Sequence, residues 1–163
     1  MKNLQTALVV NHGVPLSVTD GSLTVTNQID TLGRSGGELM VVVQFGAIAG
    51  SGTVTACKLQ ESDVTGSGFA DVTGCVLATS ALADGSGTSV AFAGGNEDES
   101  SIVFHVPLTE SRKRFFQVVV TCGGSAAVVC SAIGIMTTGG VDANESTTTL
   151  ATTGAHQQIL IAS

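Results

Sequence analysis

The sequence predicts an all-β protein whose antiparallel strands build a sandwich or a barrel. Three observations support this prediction. The β-branched residues Val and Thr, which favour the pleated sheet, are abundant, whereas Trp and Tyr are absent and Pro occurs twice. Gly and Ser interrupt the apolar segments about every ten residues, the turn spacing of all-β domains. No segment repeats apolar residues at the spacing of an amphipathic helix.

The predicted strands follow one another along the whole first part of the chain. Thr19-Asp20-Gly21 separates the first two, because Asp-Gly supplies the positive φ of a tight hairpin turn. Asp30–Gly37 is predicted to be a linker, and Ala83–Glu99 a loop rich in Gly, Asp and Ser. The predicted strands are Thr6–Val10, Ser22–Thr26, Leu39–Ile48, Thr53–Glu61, Phe69–Thr79, Ser101–Pro107, Arg114–Cys122 and Ser125–Met136.

For two of these strands the sequence also predicts which faces are buried. Leu39–Ile48 is an almost continuous apolar run, which predicts a strand covered on both faces. In Thr53–Glu61 neither face is wholly polar, so we expect one face to meet a second sheet and the other a neighbouring subunit. Strict alternation assigns Thr53, Thr55, Cys57 and Leu59 to one face, and Val54, Ala56, Lys58 and Gln60 to the other.

The composition divides the chain after Met136. Residues 1–136 hold the predicted sandwich domain, and residues 137–163 are rich in Thr and Gly and end in the apolar segment Ile159-Leu160-Ile161. This tail is either an arm that docks on a neighbour by adding a strand or filling a pocket, or a loop leading to the domain's own last strand. Under the arm hypothesis, the sandwich folds without the tail.

Charge and hydropathy argue against two classes of partner. The net charge is −7 with six Lys and Arg, and the one cationic cluster, Arg112-Lys113-Arg114, is small for a nucleic-acid binder. The longest apolar runs are strand-sized, and residues 1–10 hold no recognisable secretion signal. We therefore expect neither nucleic acid nor a membrane as partner. Charged residues make up 12% of the chain, about half the usual share, which suits a surface that packs against neighbours.

The four cysteines are Cys57, Cys75, Cys122 and Cys130, and their spacing does not match a metal site. Without a secretion signal, they are predicted to be reduced and buried as small apolar side chains. The alternative is a disulfide that forms after the protein leaves the cell.

The remaining polar residues do not form a catalytic pattern. His12, His105 and His156 are scattered along the chain, and Gly33–Gly37 lacks the Lys-Ser/Thr of a phosphate-binding loop. The acidic run Glu97-Asp98-Glu99 does not match a calcium loop and is interpreted as a solvated turn. The same holds for Glu61, Asp63 and Asp71. The sequence therefore predicts a protein that is not an enzyme and binds no cofactor or metal.

One part of the sequence resembles small virion proteins of tailed phages and prophages. Residues 52–63 read GTVTACKLQESD and residues 66–74 read GSGFADVTG. The family pattern is a strand ending in Leu-Gln-Glu-Ser-Asp, a Gly/Ser turn and Phe-x-Asp-Val. The pattern is typical of a hairpin, in which Leu59 and Phe69 pack across the turn and Asp63 and Gly66 supply turn chemistry. The resemblance covers residues 38–78 well and 112–136 loosely. It implies a capsid or tail structural protein with a sandwich or jelly-roll-like fold.

The most specific hypothesis is a capsid decoration (cement) protein that stabilises the head shell by binding between capsomers. Its partner is then the major capsid protein, and its location is the capsid surface of the virion after synthesis in the host cytoplasm. The alternative is a tail- or fibre-associated sandwich that binds a host-surface carbohydrate or receptor. The absence of Trp and Tyr favours the first hypothesis, because sugar sites usually present exposed aromatic rings.

Two groups of residues are predicted to contact partners. Arg112, Lys113 and Arg114 are expected to pair with acidic groups of a shell neighbour. The apolar segment Ile159-Leu160-Ile161 is expected to clamp an adjacent subunit or the shell, since a soluble monomer would not leave it exposed. Because the apolar strands lack a clean polar face, we also expect a homo-oligomer, either a trimer or a dimer.

Overall fold

The computed structural model describes residues 8–11, 15–19, 21–24, 28–46, 52–78, 101–137 and 157–161. These residues form strands and turns, and no helix occurs among them. The described part of the chain accordingly holds no helix long and apolar enough to cross a membrane. The strands are β1 (Leu8–Asn11), β2 (Leu16–Val18), β3 (Gly21–Thr24), β4 (Ile29–Asp30), β5 (Glu38–Phe45), β6 (Thr53–Ser62), β7 (Ala70–Ala78), β8 (Ser101–Pro107), β9 (Phe115–Gly123), β10 (Val128–Met136) and β11 (Gln157–Ile161).

Two sheets pack as a sandwich. The larger sheet has the order β1-β10-β5-β8-β11, with β2 beside the other end of β10, and the smaller has the order β3-β9-β6-β7, with β4 also on β9. Between β4 and β10 the chain crosses to the other sheet at every connection except the hairpin from β6 to β7. This crossing order is that of a jelly roll, two interleaved Greek keys. The predicted all-β sandwich with a jelly-roll-like fold is confirmed.

The core lies between the sheets and follows the two-residue period of a strand. In β9 every second residue is buried, and β5 and β10 alternate in the same way. The largest fully buried side chains come from both sheets: Phe104, Phe116, Ile29, Leu39, Leu59, Ile102, Val41, Val43, Val54, Val72 and Val106. All four cysteines are free and buried, as predicted.

The structure corrects the expectation that Leu39–Ile48 is covered on both faces. Leu39, Val41 and Val43 are fully buried, but Met40 and Val42 on the outer face are only half-buried. The reason is the antiparallel sandwich, which covers one face of each sheet, whereas a continuous apolar run also fits a strand buried on both sides.

The structure also corrects the face assignment in β6. Val54, Cys57 and Leu59 all point into the core, although strict alternation separates Val54 from the other two. The register against β9 shifts between Val54 and Ala56, so an irregularity of the bulge type inserts one residue and reverses the alternation. The outer face of β6 then carries Lys58 and Gln60, which bond to Asp71 on β7.

The first part of the chain forms more strands than predicted. The predicted linker Asp30–Gly37 begins inside β4, and short strands β2 and β3 flank the predicted Thr19-Asp20-Gly21 turn. Asp20 itself and the predicted loop Ala83–Glu99 lie outside the described residues. Short segments of two to four residues carry too few alternating positions to be recognised from pattern alone.

Candidate interaction surface

Three loops meet at one end of the jelly roll, where they connect β4 to β5, β6 to β7 and β8 to β9. Together with the adjoining strand ends they form the three-loop surface, which comprises residues 30–37, 61–69 and 108–114. The jelly-roll order brings these connections together, because each joins strands that end on the same side of the sandwich.

Backbone hydrogen bonds join the first of these loops to the third. The Gly36 N–H donates to the Leu108 carbonyl at 2.7 Å, and the Leu108 N–H donates to the Gly37 carbonyl at 2.8 Å. The Thr31 N–H donates to the Arg114 carbonyl at 3.0 Å. Gly37 is required here, because a Cβ at this position would overlap the carbonyl oxygen of Thr137. The first and third loops are therefore held in a fixed arrangement.

The loop between β6 and β7 is organised by Ser62, which is 2% exposed. Its Oγ donates to the Ser67 carbonyl at 2.6 Å and accepts from the Val64 N–H at 3.0 Å. Gly66 and Gly68 take positive φ angles of 80° and 68°, which Gly adopts without steric cost. The predicted hairpin turn is thus present, and Ser62, a position that the sequence pattern did not distinguish from its polar neighbours, is its main internal support.

Ion pairs within the chain engage all three cations of the cluster at residues 112–114. Arg114 donates Nε to Asp30 Oδ1 at 2.8 Å and Nη2 to Oδ2 at 2.6 Å. Lys113 Nζ lies 3.1 Å from Asp63 Oδ2, and Arg112 Nη1 lies 3.6 Å from Glu61 Oε1. The expected pairing with acidic groups of a shell neighbour stays a prediction, but the structure satisfies these charges from its own loops.

These ion pairs differ in burial and therefore in how much each contributes to stability. The Arg112 and Glu61 side chains are each 14% exposed, and Glu61 Oε2 also accepts the Lys113 N–H at 3.3 Å. The Arg114–Asp30 pair is about 40% exposed on both sides. The hydrogen bonds from Arg114 lower the pKa of Asp30 below its ordinary value, outweighing the opposing effect of partial burial. The nearly buried pair binds the third loop to β6, whereas the exposed pairs mainly set the charge of the surface.

The three-loop surface combines balanced charge with exposed apolar groups. Four of the six Lys and Arg in the chain, Arg34, Arg112, Lys113 and Arg114, lie here together with four acidic residues. The formal charge of −7 consequently belongs to the remainder of the chain. Leu32 and Val64, the most exposed of the large apolar side chains described, are 68% and 57% exposed on this surface. A shallow groove of about 240 Å³ runs between the loops, lined by residues that include Leu32, Asp63 and Lys113.

A second apolar area lies on the outer face of the larger sheet. Val42 stands opposite Val103 on β8 and Ile133 on β10, and Met40 stands opposite Ile135. Ile133 is 38% exposed, whereas Val103 is 5% exposed. At one end of this face His105 Nε2 lies 3.0 Å from Glu38 Oε2.

The other sequence candidates do not come together into one site. Asp71 is held by Gln60 and Lys58, and their hydrogen bonds lower its pKa despite the opposing effect of burial. Among the described residues no group of three or more His, Cys, Asp or Glu side chains is arranged to hold a metal ion. The remaining candidates, His12, His156 and Glu97-Asp98-Glu99, lie outside the described residues.

The tail segment Ile159-Leu160-Ile161 belongs to β11, which extends the larger sheet. β11 pairs with β8 in parallel, with Ile159 opposite Val103 and Ile161 opposite His105. In the structure this segment is the outermost strand of the larger sheet, beside β8, and the two alternatives for the tail as a whole stay predictions. Its predicted role in clamping a neighbour stays a prediction.

The described aromatic side chains do not form an exposed platform. Phe45, Phe104 and Phe116 are buried, and Phe69 and Phe115 are half-buried. Arg114 lies over the Phe115 ring at 4.7 Å from its centroid. The tail or fibre alternative, which relies on a carbohydrate or receptor site, gains no support from these residues.

Comparisons with known proteins found similarity to solved structures only. No protein-family model matches the chain, and no curated protein is significantly similar to it. A chain in the structure of infectious bursal disease virus, Gx strain, is similar over 83% of this chain at 8% identity and a TM-score of 0.49. The match covers 33% of the length of that viral chain. A chain of Bacillus endospore appendages, described as disulfide-linked pili, is similar over 81% of this chain and 89% of its own length, at 16% identity and a TM-score of 0.39. At these scores and identities the similarities support no functional conclusion.

Proposed function

We propose that this protein is a structural protein of a tailed-phage virion, a capsid decoration (cement) protein that binds the shell of the major capsid protein and performs no catalysis. The observation that carries the proposal is the three-loop surface, where balanced charges and exposed apolar groups lie together at one end of the jelly roll. The resemblance of residues 52–74 to small virion proteins supplies the class of particle.

The three-loop surface is suited to docking on a protein shell. Three of its four cations, Arg112, Lys113 and Arg114, already pair with carboxylates of the same chain, so covering these three pairs does not isolate their charges. Burial of Leu32 and Val64 would contribute about 1–2 kcal/mol each, and many copies per shell multiply this gain.

A binding assay on heads that lack the protein tests this proposal. We expect Leu32→Asp combined with Val64→Asp to weaken binding at least about tenfold, because a carboxylate in place of each apolar contact must be desolvated. Purified variants are mixed with the heads, and the bound fraction is measured by co-sedimentation. Thermal stability should stay close to that of the wild type, because both side chains are largely exposed.

The matched control is Ile133→Asp, which places a carboxylate on the outer face of the larger sheet, where Ile133 is 38% exposed. This variant should bind heads as the wild type does. If Ile133→Asp loses binding and the Leu32→Asp, Val64→Asp variant binds normally, the shell contact lies on the outer face of the larger sheet and not on the three-loop surface. If the wild-type protein does not bind heads at all, the decoration function itself is wrong.

A further inference from the structure

The strand at one edge of the larger sheet is β11, and no short loop connects it to the strand beside it, β8. β11 pairs with β8 in parallel from Gln157 opposite Ser101 to Ile161 opposite His105, whereas the other strand pairs described are antiparallel. A parallel pair cannot be closed by a tight hairpin and needs a long crossover. The pairing therefore depends on a segment that returns from elsewhere in the chain.

Without β11, β8 would be an unprotected edge strand. Ile102 and Phe104 within it are fully buried and Val103 is 5% exposed, so the strand is strongly apolar. Unpaired backbone groups on such an edge readily accept a strand from another molecule. The β8 edge thus requires a partner strand, and any copy of β11 satisfies the same register.

The connection between β10 and β11 is longer than closure within one chain requires. Met136 at the end of β10 is opposite Leu39 on β5, which is opposite Val106 on β8. Gln157 at the start of β11 is opposite Ser101, five residues earlier on β8. The two strand ends are therefore about five residues apart along the strands and three strands apart across the sheet. Strand geometry converts this offset to roughly 22 Å. Residues 137–156 can span up to about 70 Å when extended. The connection is therefore about three times as long as closure within one chain requires, which is long enough to bridge to a molecule packed beside the sheet edge.

We propose that β11 is exchanged between copies of this chain, so that β11 of one molecule pairs with β8 of its neighbour in the register seen here. Exchange of an identical element costs little, because the contacts made between molecules equal those made within one molecule. The exchange deepens the proposed structural function by linking copies on the particle, but it uses the β8 edge and not the three-loop surface.

Crosslinking of the full-length chain distinguishes exchange from closure within one molecule. Ser101→Cys combined with Gln157→Cys places one thiol on each strand at paired positions. The four native cysteines are at most 2% exposed and do not compete for a short bismaleimide added under native conditions. In the oligomeric fraction we expect most crosslinked chains to run as covalent dimers or larger species on a denaturing gel. The two single variants are the controls. Adducts confined to single chains would overturn the proposal.

Shortening the connection provides the second arm of the test. Deleting residues 140–155 leaves four residues between β10 and β11. Met136 and Gln157 are then five Cα steps apart, which span at most about 18 Å and fall short of the roughly 22 Å that closure within one chain requires. Exchange predicts a folded protein that sediments entirely as oligomers, whereas a folded monomer with an unprotected β8 edge would contradict it. Replacing residues 140–155 by an equally long Gly/Ser segment is the control and should keep the wild-type distribution. Either variant can also be assayed for head binding, so failure of exchange and failure of the decoration function are distinguishable.

Discussion

Raising the pH from about 9 to about 10.5 is expected to lower the free energy of unfolding by about 4 kcal/mol, because the unfolded chain ionises two thiols that the folded chain keeps protonated. Cys57 and Cys75 are both fully buried. Burial raises the pKa of Cys57 well above its ordinary value, and the nearby Cys130 and Cys122 add to the shift. Burial also raises the pKa of Cys75 to about 12, although the positive charge of Arg112 opposes it.

The sign of this effect follows from proton binding. Above the ordinary thiol pKa the unfolded chain holds fewer protons than the folded one, so stability falls as the pH rises towards the folded-state pKa values. Burial raises the pKa of Cys130 to about 11, which steepens the fall in the same range. Well below the ordinary thiol pKa, both states are protonated and the thiols contribute no pH dependence.

Thermal denaturation of the wild type and of the Cys57→Ala, Cys75→Ala double variant measures the effect. The wild-type Tm should fall by about 8–16 °C between about pH 9 and about pH 10.5. The double variant starts from a lower Tm because of the cavities it creates, but its Tm should fall less steeply with pH. The ion pairs of Lys58 and Lys113 are the same in both proteins, so their contributions cancel in the comparison. Equal slopes in the two proteins would contradict the account.

Substituting Glu61→Ala is expected to lower the free energy of unfolding by about 3 kcal/mol, because it leaves the nearly buried Arg112 guanidinium without this carboxylate. The same change removes the acceptor of the Lys113 N–H. Urea denaturation monitored by circular dichroism gives the free energy of unfolding directly.

Two further variants test whether burial sets the size of this effect. Arg114→Ala breaks the exposed pair with Asp30 and should destabilise the protein much less than Glu61→Ala does, because solvent screens this pair. Glu61→Gln keeps an oxygen that can accept the Lys113 N–H, so its cost should lie between the other two. If Arg114→Ala and Glu61→Ala destabilise equally, the nearly buried pair is not what fastens the third loop to β6.

The sequence predicts the fold class and the long strands well, because their evidence is local. Residues such as Val41, Val43 and Val118 repeat at the strand period, and Gly66 supplies the positive φ of its turn. The predicted faces of a strand are wrong where one inserted residue reverses the alternation of its side chains. The irregularity between Val54 and Ala56 reverses the faces of β6, and nothing in the alternating pattern marks it.

The three-loop surface could be predicted only in part. The cluster Arg112-Lys113-Arg114 is visible in the sequence, but its partners Asp30, Glu61 and Asp63 are separated from it by 50 to 84 residues. Only the jelly-roll topology brings those loops to one end of the sandwich. The pairing of β11 with β8 is likewise a long-range contact, which explains why the sequence left the arm and the last strand as alternatives.

If the proposed function is correct, cryo-electron microscopy of the tailed-phage virion will locate this chain on the head. We expect jelly-roll density repeated over the head lattice, with residues 30–37, 61–69 and 108–114 against the major capsid protein. Density for this chain in the tail or its fibres would contradict the decoration function. Density on the head with another face of the sandwich against the shell would contradict the assignment of the three-loop surface.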